Sequence, residues 1–412
     1  MRSTRKAVAE AVVVGGGAAG ALAACIAAER GRRVLLLEPN RDIGRKLGIT
    51  GKGRCNLTNL CEVREFLENV PQGGKFLYSA LNKLPPKAAV EMFEGMGVPL
   101  KAERGRRVFP VSDDAGDVAR ALARRLVSAG VQRRRVRASG LQIENGALCA
   151  VRTASGDIPC ESALIATGGL SYPGTGSTGD GYVFAREAGH RVTEPRPSLV
   201  PLEEAGEDCR KLMGLSLRNV RLTACEDGRP VYTELGELLF THFGLSGPLT
   251  LSASAHMRRF GEKRYSVSID LKPALDETAL DRRLLSDFEK HKNSDFINAL
   301  GQLLPQKLIP VVVARSGIDA REKVHSITRQ QRSALLHVLK NFTVDIRAPR
   351  PVAEAIITSG GVDLREIDPR TMASKLVRGL YFAGEVLDID AYTGGYNLQI
   401  AWLTGYAAGE NL

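Results

Sequence analysis

Short apolar runs alternate with glycine-rich turns and helical segments along the first forty residues of this chain. Residues 8–14 form an apolar run that predicts a buried strand, and residues 18–30 have helical composition and end before Gly31. Residues 33–37 predict a second strand. A glycine-rich turn joins the first strand to the helix, so the pattern predicts a βαβ unit.

The same pattern predicts further elements downstream. Apolar runs at 163–169 and 379–385 predict two more strands, each followed by a tight turn. Residues 190–270 contain short alternating strands, whereas 274–341 have apolar positions at helical spacing. Residues 342–346 predict a strand that returns to the strand-rich part. A chain of 412 residues is longer than the chains that usually fold around a single hydrophobic core, so two or three domains are expected.

Composition narrows the class of protein. No apolar stretch reaches about 18 residues without glycine or charge, so no membrane span is predicted. The seven cysteines are scattered and include no CxxC pair. This pattern is typical of reduced thiols in the cytoplasm, and no metal site is predicted.

The net charge of +11 is concentrated between Lys101 and Arg137, a segment that contains eleven basic residues and four acidic ones. Such a surplus can bind nucleic acid or another anionic partner. Charge runs are more often solvated faces, and no aromatic residue lies among Arg133 to Arg137 to stack on bases. The sequence therefore favours a solvated face, with RNA binding as the alternative.

The turn Gly15-Gly16-Gly17-Ala18-Ala19-Gly20 fits the GxGxxG pattern. Gly15 allows a sharp turn, Gly17 leaves room for a diphosphate, and Gly20 lets the helix pack closely on the strand. The free N–H groups at the helix start would bind the diphosphate. Glu38, at the end of the second strand, is placed to accept hydrogen bonds from a ribose and disfavours a 2′-phosphate. The unit therefore predicts binding of FAD or NAD rather than NADP.

Three later segments favour FAD. Ala166-Thr167-Gly168 forms a small-residue turn of the kind that passes near the adenine and diphosphate. Gly384-Glu385 resembles the second FAD fingerprint, in which an acid holds the ribityl chain. Gly394-Gly395-Tyr396-Asn397-Leu398 leads into a helix that runs to about residue 410. The N-terminus of that helix would stabilise the negative charge of a reduced flavin.

A second GxGxxG match covers residues 174–179. It follows Ser171-Tyr172-Pro173, which reads as a loop, and no apolar strand ending in an acid comes after it. We therefore predict no separate NAD domain at this position.

Several motifs occur together in a distinctive order: Gly44-Arg45-Lys46, residues 51–59, 166–173, 176–181, 240–248 and 383–399. In this combination the sequence resembles the YhiN/BaiN-like flavoproteins, also called the aminoacetone oxidase family, from about Val12 to Gly409. The resemblance implies an α/β fold. A split, Rossmann-like, three-layer FAD-binding domain would carry an inserted β-barrel-like domain and a helical insert. The implied boundaries are 1–190 and 351–412 for the FAD domain, 191–273 plus 342–350 for the barrel, and 274–341 for the helices.

The resemblance also implies that Arg45, Lys46, Asn56 and Thr58 lie along the cofactor towards the flavin. Ala391 departs from the family pattern, which usually has glycine there, and this puts the local turn geometry in question. The residues expected to bind FAD, without a covalent link, are Gly15, Gly17, Ala18, Ala19, Gly20, Glu38, Arg45, Lys46, Asn56, Thr58, Val136, Ala166, Thr167, Gly168, Gly384, Glu385, Gly394, Gly395, Tyr396, Asn397 and Leu398.

The catalytic residues are left open, with candidates of several kinds. Lys52 and Arg54 either neutralise reduced flavin and bind an anionic substrate, or bind the FAD diphosphate or a carboxylate. His242 is either a proton donor beside the flavin or a structural histidine. Tyr392 and Tyr396 either line the substrate pocket or pack on the flavin ring.

Cys55 and Cys61 lie where disulfide reductases of the flavoprotein class carry a redox pair. Five residues separate them here instead of four, and no second dinucleotide domain is predicted. We therefore interpret them as buried or cofactor-lining thiols rather than a redox disulfide.

These features predict an FAD-dependent oxidoreductase that transfers hydride between flavin and a small organic or steroid-like substrate, with NAD(P)H as the expected transient donor. Members of the family are described as reductases of carbon–carbon double bonds in oxo-steroids and as amine oxidases. The alternatives are a flavin-dependent amine oxidase that uses O2, and an FAD-dependent protein that binds or modifies RNA through residues 101–137.

Overall fold

The computed structural model describes residues 9–412, so Val8, the first residue of the predicted first strand, lies outside the described residues. The chain divides into two compact units. The described part of residues 1–198 forms the first unit together with residues 352–412, and residues 199–351 form the second. The second unit is therefore an insertion in the sequence of the first.

Within the described residues the strands, in chain order, are β1 (Ala11–Val14), β2 (Val34–Leu37), β3 (Thr58–Asn59), β4 (Leu100–Glu103), β5 (Arg107–Pro110), β6 (Gln132–Arg134), β7 (Ala138–Glu144), β8 (Ala147–Thr153), β9 (Ile158–Pro159), β10 (Ser162–Ile165), β11 (Val192–Ser198), β12 (Leu202–Glu204), β13 (Ser216–Glu226), β14 (Arg229–Phe240), β15 (Gly244–Ser246), β16 (Tyr265–Asp270), β17 (Phe342–Pro349), β18 (Ile357–Val362) and β19 (Leu380–Phe382). The α-helices are α1 (Ala18–Glu29), α2 (Val63–Glu68), α3 (Tyr78–Lys83), α4 (Pro86–Gly95), α5 (Ala115–Ser128), α6 (Asp180–Glu187), α7 (Asp208–Lys211), α8 (Pro248–Ser254), α9 (Glu277–Lys290), α10 (Phe296–Ala299), α11 (Ile309–Ser316), α12 (Arg329–Lys340) and α13 (Tyr396–Gly409).

A five-stranded parallel sheet forms the centre of the first unit, in the order β19-β10-β1-β2-β6. Val12 of β1 lies opposite Ala163 of β10 and Leu35 of β2. The residues of β1, β2 and β10 are all buried, as is usual for parallel strands covered on both faces. The predicted βαβ unit is therefore confirmed, with both strands somewhat shorter than the apolar runs that predicted them.

Helices α1 and α13 pack closely on each other in the first unit. A Cβ on Gly405 would lie 2.4 Å from the carbonyl oxygen of Ala19, and one on Gly409 would lie 2.6 Å from that of Ala23. Glycine at these two positions of α13 lets the helix backbones approach to a distance that larger side chains would prevent. The C-terminal return is thereby held against the first dinucleotide motif.

Strand β11 pairs with β18 in an antiparallel two-stranded sheet. Since β18 belongs to the C-terminal part of the chain, this pairing keeps residues up to Ser198 in the first unit. The first unit thus extends beyond position 190, where the sequence placed its boundary.

The second unit contains a closed barrel with the strand order β12-β15-β14-β13-β16-β17. Tyr265, Val267 and Ile269 of β16 are buried and alternate with more exposed positions, as expected for a strand with one face in a core. Strand β17 pairs with β16 and so closes the barrel after helices α9 to α12. The predicted fold class, an α/β Rossmann-like domain with an inserted barrel and helices, is confirmed. Within residues 9–412 no helix has the length and apolar character needed to cross a membrane.

Candidate functional site

A cavity of about 870 Å³ lies within the first unit. Its lining includes Gly15, Glu38 and Ala166, which directly follow the carboxyl ends of β1, β2 and β10. Ligands of doubly wound α/β folds bind outside this edge of the sheet. The fold therefore places the cavity where a dinucleotide is expected.

The Gly15–Gly20 turn has the geometry that a diphosphate site requires. Gly15 has φ +105°, and a Cβ on it would lie 2.5 Å from the carbonyl oxygen of Ala166. A Cβ on Gly20 would lie 2.0 Å from the carbonyl oxygen of Gly15, whereas one on Gly17 would meet no atom within 4 Å. No side chain caps α1 at Gly17, so the first N–H groups of the helix face open space. This end of the cavity fits a diphosphate.

The carboxylate of Glu38 is buried and fixed at the same end of the cavity. It accepts hydrogen bonds from Gly16 N (2.8 Å), Asn40 N (2.9 Å) and Asn40 Nδ2 (2.7 Å). A carboxylate has about four acceptor positions, so one position remains for a ribose hydroxyl. The acid therefore has the placement and the spare acceptor position that a ribose hydroxyl requires.

Glu385 also lines the cavity, and its carboxylate is part of a polar network. Its Oε2 accepts from Lys46 Nζ at 2.5 Å, and its Oε1 accepts from Ser171 Oγ (3.0 Å) and Thr358 N (2.9 Å). Lys46 Nζ also contacts Ser171 Oγ at 2.5 Å. Residues from four distant parts of the chain thus meet at one point on the cavity wall, and they hold the Glu385 carboxylate in one orientation.

The loop before α13 forms another wall. Gly395 has φ +102°, and a Cβ there would lie 2.4 Å from the main chain of Thr58. With its amide in the orientation that satisfies both groups, Asn56 accepts from Gly395 N at 3.1 Å and donates to Thr58 O at 3.3 Å. No side chain caps α13 at Gly395. The N-terminus of α13 therefore offers free N–H groups close to Gly394 and Leu398, which line the cavity.

Ala391, where the resembled family has glycine, is compatible with its turn. It is not among the residues with positive φ. Its N–H donates to Asn397 Oδ1 at 3.0 Å, and its carbonyl accepts from Asn397 Nδ2 at 2.7 Å. The Asn397 side chain thus closes the loop, and the turn does not need a glycine at this position.

All but three of the residues expected to bind FAD line the cavity; the exceptions are Gly20, Thr58 and Tyr396. Gly20 packs against the Gly15 carbonyl, as described above. The Thr58 hydroxyl donates to Gln399 Oε1 at 2.8 Å behind the cavity wall. Tyr396 is buried with its ring 5.3 Å from that of Phe66, and burial raises its pKa to about 12. These three residues support the site from behind.

Two helix starts at the cavity are open to a ligand. Neither α1 nor α13 has a side-chain cap, and a Cβ on Gly17 would meet no atom within 4 Å. The open space at Gly17 and these two helix starts together fit an FAD molecule.

Sequence reasoning missed several lining residues. The second glycine-rich hexapeptide, residues 174–179, begins within a short 3-10 turn (Pro173–Thr175) and does not directly follow a strand, but residues 172–178 line the same cavity as the first motif. Asn40 connects the two motifs, because its Nδ2 contacts both Glu38 and the Thr175 carbonyl (3.3 Å). Ile356 and Ile357 line the cavity too, and no motif marked them. In the sequence, the glycines at 174 and 176 were the one indication that residues 172–178 lie close to a ligand.

Lys52 and Arg54 have different surroundings. Lys52 is exposed and lines the cavity, with φ +61°. Arg54 does not line it. Its guanidinium forms ion pairs with Glu103 and Asp113 and lies 4.2 Å from the ring centroid of Phe109. These carboxylates raise the pKa of Arg54 and neutralise its charge. Of the two cations, Lys52 is placed to meet a ligand.

Of the remaining candidates, His242, Cys55 and Cys61 do not line the cavity. His242 belongs to the second unit, exposed in the turn between β14 and β15 with its ring 5.0 Å from that of Phe243. Cys55 and Cys61 are free and buried, and burial raises their pKa to about 12 and about 11. Protonated thiols are poor nucleophiles, so the structure gives no support to a redox pair. Tyr392 lines the cavity.

Within the described residues, some of the eleven cations of the basic segment form ion pairs with carboxylates and others do not. Five of its cations are paired with carboxylates: Lys101 with Asp113, Arg106 with Glu65, Arg120 with Asp114 and Asp117, Arg125 with Glu29, and Arg137 with Asp180. Arg133, Arg134 and Arg135, on or next to the edge strand β6, are exposed and have no ion pair within residues 9–412. The next residues along the chain, Val136 and Arg137, line the cavity. An unneutralised basic edge therefore runs up to the cavity rim.

The model of the HI0933-like Rossmann domain family matches residues 9–411, nearly the whole chain. The chain belongs to this family. It is the FAD-binding oxidoreductase family that the sequence motifs resemble, so the resemblance and the enzyme class are both confirmed.

Curated relatives cover almost the full length of this HI0933-like protein. It is 34% identical to a ribosomal RNA dihydrouridine synthase of Escherichia coli K12, over 98% of each chain. It is 31% identical to a 3-dehydro-bile acid delta(4,6)-reductase of Clostridium scindens, over 97% of each chain.

Solved structures share the fold at low sequence identity. A flavocytochrome c3 fumarate reductase gives a TM-score of 0.52 at 17% identity, covering 98% of this chain and 78% of its own. A 3-ketosteroid-delta4-(5alpha)-dehydrogenase of Rhodococcus jostii gives 0.50 at 14% identity, covering 99% and 98%. At these identities the likeness concerns the fold alone.

Proposed function

We propose that this protein is an FAD-dependent reductase that adds hydrogen across a carbon–carbon double bond conjugated to a carbonyl group. Dihydrouridine is uridine with its ring double bond saturated, and a delta(4,6)-reductase also acts on double bonds. The names of both full-length relatives therefore describe one kind of reaction. The observation that carries the proposal is the cavity of the first unit, where the uncapped starts of α1 and α13 and the Glu38 carboxylate are arranged as an FAD site requires.

The residues that line the cavity would hold FAD without a covalent link. The N-terminus of α1 at Gly17 would bind the diphosphate, Glu38 the adenosine ribose, and Glu385 the ribityl chain. The N-terminus of α13 at Gly395 would lie against the pyrimidine side of the ring. Bound FAD supplies two-electron hydride chemistry, and we propose NAD(P)H as its transient reductant.

RNA is the substrate that the surface favours. Arg133, Arg134 and Arg135 form an exposed basic edge beside the cavity, and their charges are not neutralised by carboxylates of the described chain. Arginine side chains of this kind bind phosphates and position a nucleic acid without reading its sequence. A uridine of an RNA held on this edge is therefore the proposed substrate.

The second candidate is a steroid-like enone, which the Clostridium scindens relative supports at nearly the same identity and coverage. The ion pairs of Lys101, Arg106, Arg120 and Arg125 support the interpretation of this part of the basic segment as a solvated, neutralised face. A small neutral substrate would not need the remaining basic edge. The two candidates therefore differ in whether Arg133 to Arg135 matter.

The test compares two substrates with the same holoenzyme and NADPH or NADH. Ribosomal RNA transcribed in vitro is incubated and digested, and its nucleosides are analysed for dihydrouridine by mass spectrometry. A 3-oxo-4-ene steroid is incubated in parallel and its saturated product is measured. We expect dihydrouridine in the RNA and little steroid product. Steroid reduction without formation of dihydrouridine would show that the substrate is a steroid-like enone and not RNA. Reduction of neither compound would contradict the proposed reaction.

Charge reversal provides the matched control. Arg133→Glu with Arg134→Glu and Arg135→Glu should weaken RNA binding steeply and reduce its dependence on salt, because fewer counterions are released. Arg120→Glu changes a cation that is already paired with two carboxylates, and it should have a much smaller effect. Equal effects of the two variants would show that RNA does not use the basic edge.

A further inference from the structure

Four cationic side chains line the cavity, and in the described chain three of them are already engaged. Lys46 is paired with Glu385, and Arg137 is paired with Asp180. Arg45 donates to Asn40 Oδ1 at 2.8 Å, beside the ribose-binding acid. For Lys52 the described residues offer neither a carboxylate nor a hydrogen-bond partner. Its ammonium group is therefore available to something that enters the cavity.

The backbone holds Lys52 at the tip of a tight loop. Cys55 N donates to Thr50 O at 3.0 Å and closes the loop around it. Gly51, Lys52 and Gly53 all have positive φ, at +58°, +61° and +84°. A residue with a Cβ is strained in this region, and such strain is often found where a side chain has a functional task. The conformation presents Lys52 to the cavity.

The loop is anchored at the α13 end of the cavity. A Cβ on Gly51 would lie 2.8 Å from Asn56 N, and Asn56 in turn contacts Gly395 N at the start of α13. In the proposed site the start of α13 would supply positive potential to the reduced ring. Lys52 is exposed and lines the cavity, so its ammonium group is accessible to a molecule that enters the cavity from solvent. Since the start of α13 would serve the flavin ring, the ammonium group of Lys52 is free to act on the substrate.

We propose that Lys52 is a catalytic residue whose ammonium group binds the carbonyl oxygen of the substrate and stabilises the enolate formed during reduction. This inference rests on the proposed function. Reduced FAD, when bound, would supply the hydride and its two electrons. The β-carbon of the substrate would accept that hydride, the electron pair of the double bond would move towards the carbonyl oxygen, and the Lys52 ammonium group would hold the resulting enolate oxygen. A proton from solvent would then add to the α-carbon, so that the carbonyl re-forms and the double bond is saturated.

The test uses 4-nitrophenol, a planar ring with an ionisable oxygen that imitates the enolate. Its visible absorbance reports whether it is bound as the phenolate. The wild-type holoenzyme should bind the phenolate and lower the pKa of the bound phenol, since a cation beside the oxygen favours its charged form. Lys52→Met should weaken phenolate binding at least about tenfold, in line with the loss of one charged hydrogen bond. Lys52→Arg should retain most of the binding.

Lys75→Met, which removes an exposed lysine that does not line the cavity, is the matched control and should bind as the wild type does. Unchanged phenolate binding by Lys52→Met would overturn the proposal, and so would a wild-type enzyme that leaves the phenol neutral. If Lys52→Met lowers the reduction potential of the flavin but leaves phenolate binding intact, the lysine acts on the flavin and not on the substrate. That result would also overturn the proposal.

The outcome is separable from that of the proposed reaction. If the wild type reduces neither RNA nor steroid, the proposed function fails whatever the phenol does. If the wild type reduces a substrate and Lys52→Met reduces it equally fast while binding FAD normally, only the role of Lys52 fails.

Discussion

Two hexapeptides of this chain have the same GxGxxG spacing and border the same cavity, yet they are built differently. Residues 15–20 join a buried strand to α1, whereas residues 174–179 pass through a short 3-10 turn before α6. Both hexapeptides lead into a helix that has no side-chain cap, but α1 has 12 residues and α6 has 8, and only the first hexapeptide has open space at its third residue. The spacing of glycines therefore marks a backbone near a ligand, and the strand before and the helix after decide which ligand group is bound.

The largest effect is expected for Gly20→Ala. Its Cβ would lie 2.0 Å from the Gly15 carbonyl oxygen, inside the packed junction of helix and strand. Overpacking against a fixed backbone should reduce the free energy of unfolding by about 3 kcal/mol. Chemical denaturation followed by circular dichroism measures this loss. A variant as stable as the wild type would show that the helix does not depend on this close approach.

Gly17→Ala should separate binding from folding. A Cβ there meets no protein atom within 4 Å, so stability should be unchanged. The methyl group would occupy space at the N-terminus of α1 that the diphosphate needs, and FAD affinity should fall roughly thirtyfold, about 2 kcal/mol. Fluorescence titration of the apoprotein with FAD measures the change. Gly95→Ala, at a helical glycine whose Cβ also meets no atom and which lies outside the cavity, serves as the control.

A smaller effect is expected in the second hexapeptide with Gly176→Ala. Gly176 has φ +108°, and its Cβ would lie 2.9 Å from Asn40 Nδ2. The strained backbone should lower stability by about 1 kcal/mol. Disturbance of the Asn40 contact should weaken FAD binding only a few-fold, because the diphosphate is held elsewhere. A loss of affinity as large as that of Gly17→Ala would mean that the second loop also binds the diphosphate.

The smallest effect is expected for Gly174→Ala. Like Gly17, Gly174 lines the cavity, and its Cβ would meet nothing within 4 Å. No helix N-terminus of comparable length points at this position, so stability should change by less than about 0.5 kcal/mol. The same fluorescence titration should give an FAD affinity close to that of the wild type. The pair Gly17→Ala and Gly174→Ala thus compares two equally open glycines that differ in the element that follows them.

The sequence predicted the parts of the site that depend on local order. The strand, turn and helix around Gly15, and the acid at Glu38, follow from spacing, because each occupies a fixed place in a βαβ unit. The direction of loop side chains does not follow from spacing. Tyr396 was expected at the cofactor and packs on Phe66 instead, since it begins a helix whose opposite face meets the cavity.

Long-range pairing was the other part that the sequence left open. Arg54 looked equivalent to Lys52 until the structure placed Glu103 and Asp113 beside it. Lys46 meets Glu385, 339 positions later in the chain, through the folding together of the two ends of the first unit. Contacts of this kind depend on tertiary structure and leave no periodic signal in a single sequence.

The most direct test of the central claim is the identity and amount of flavin released from the purified protein by denaturation. We predict a yellow protein that releases FAD, rather than FMN or riboflavin, in a molar amount close to that of the protein chain. The Gly17→Ala variant should be purified largely free of FAD. A colourless wild type that does not take up FAD added at micromolar concentration would contradict the account.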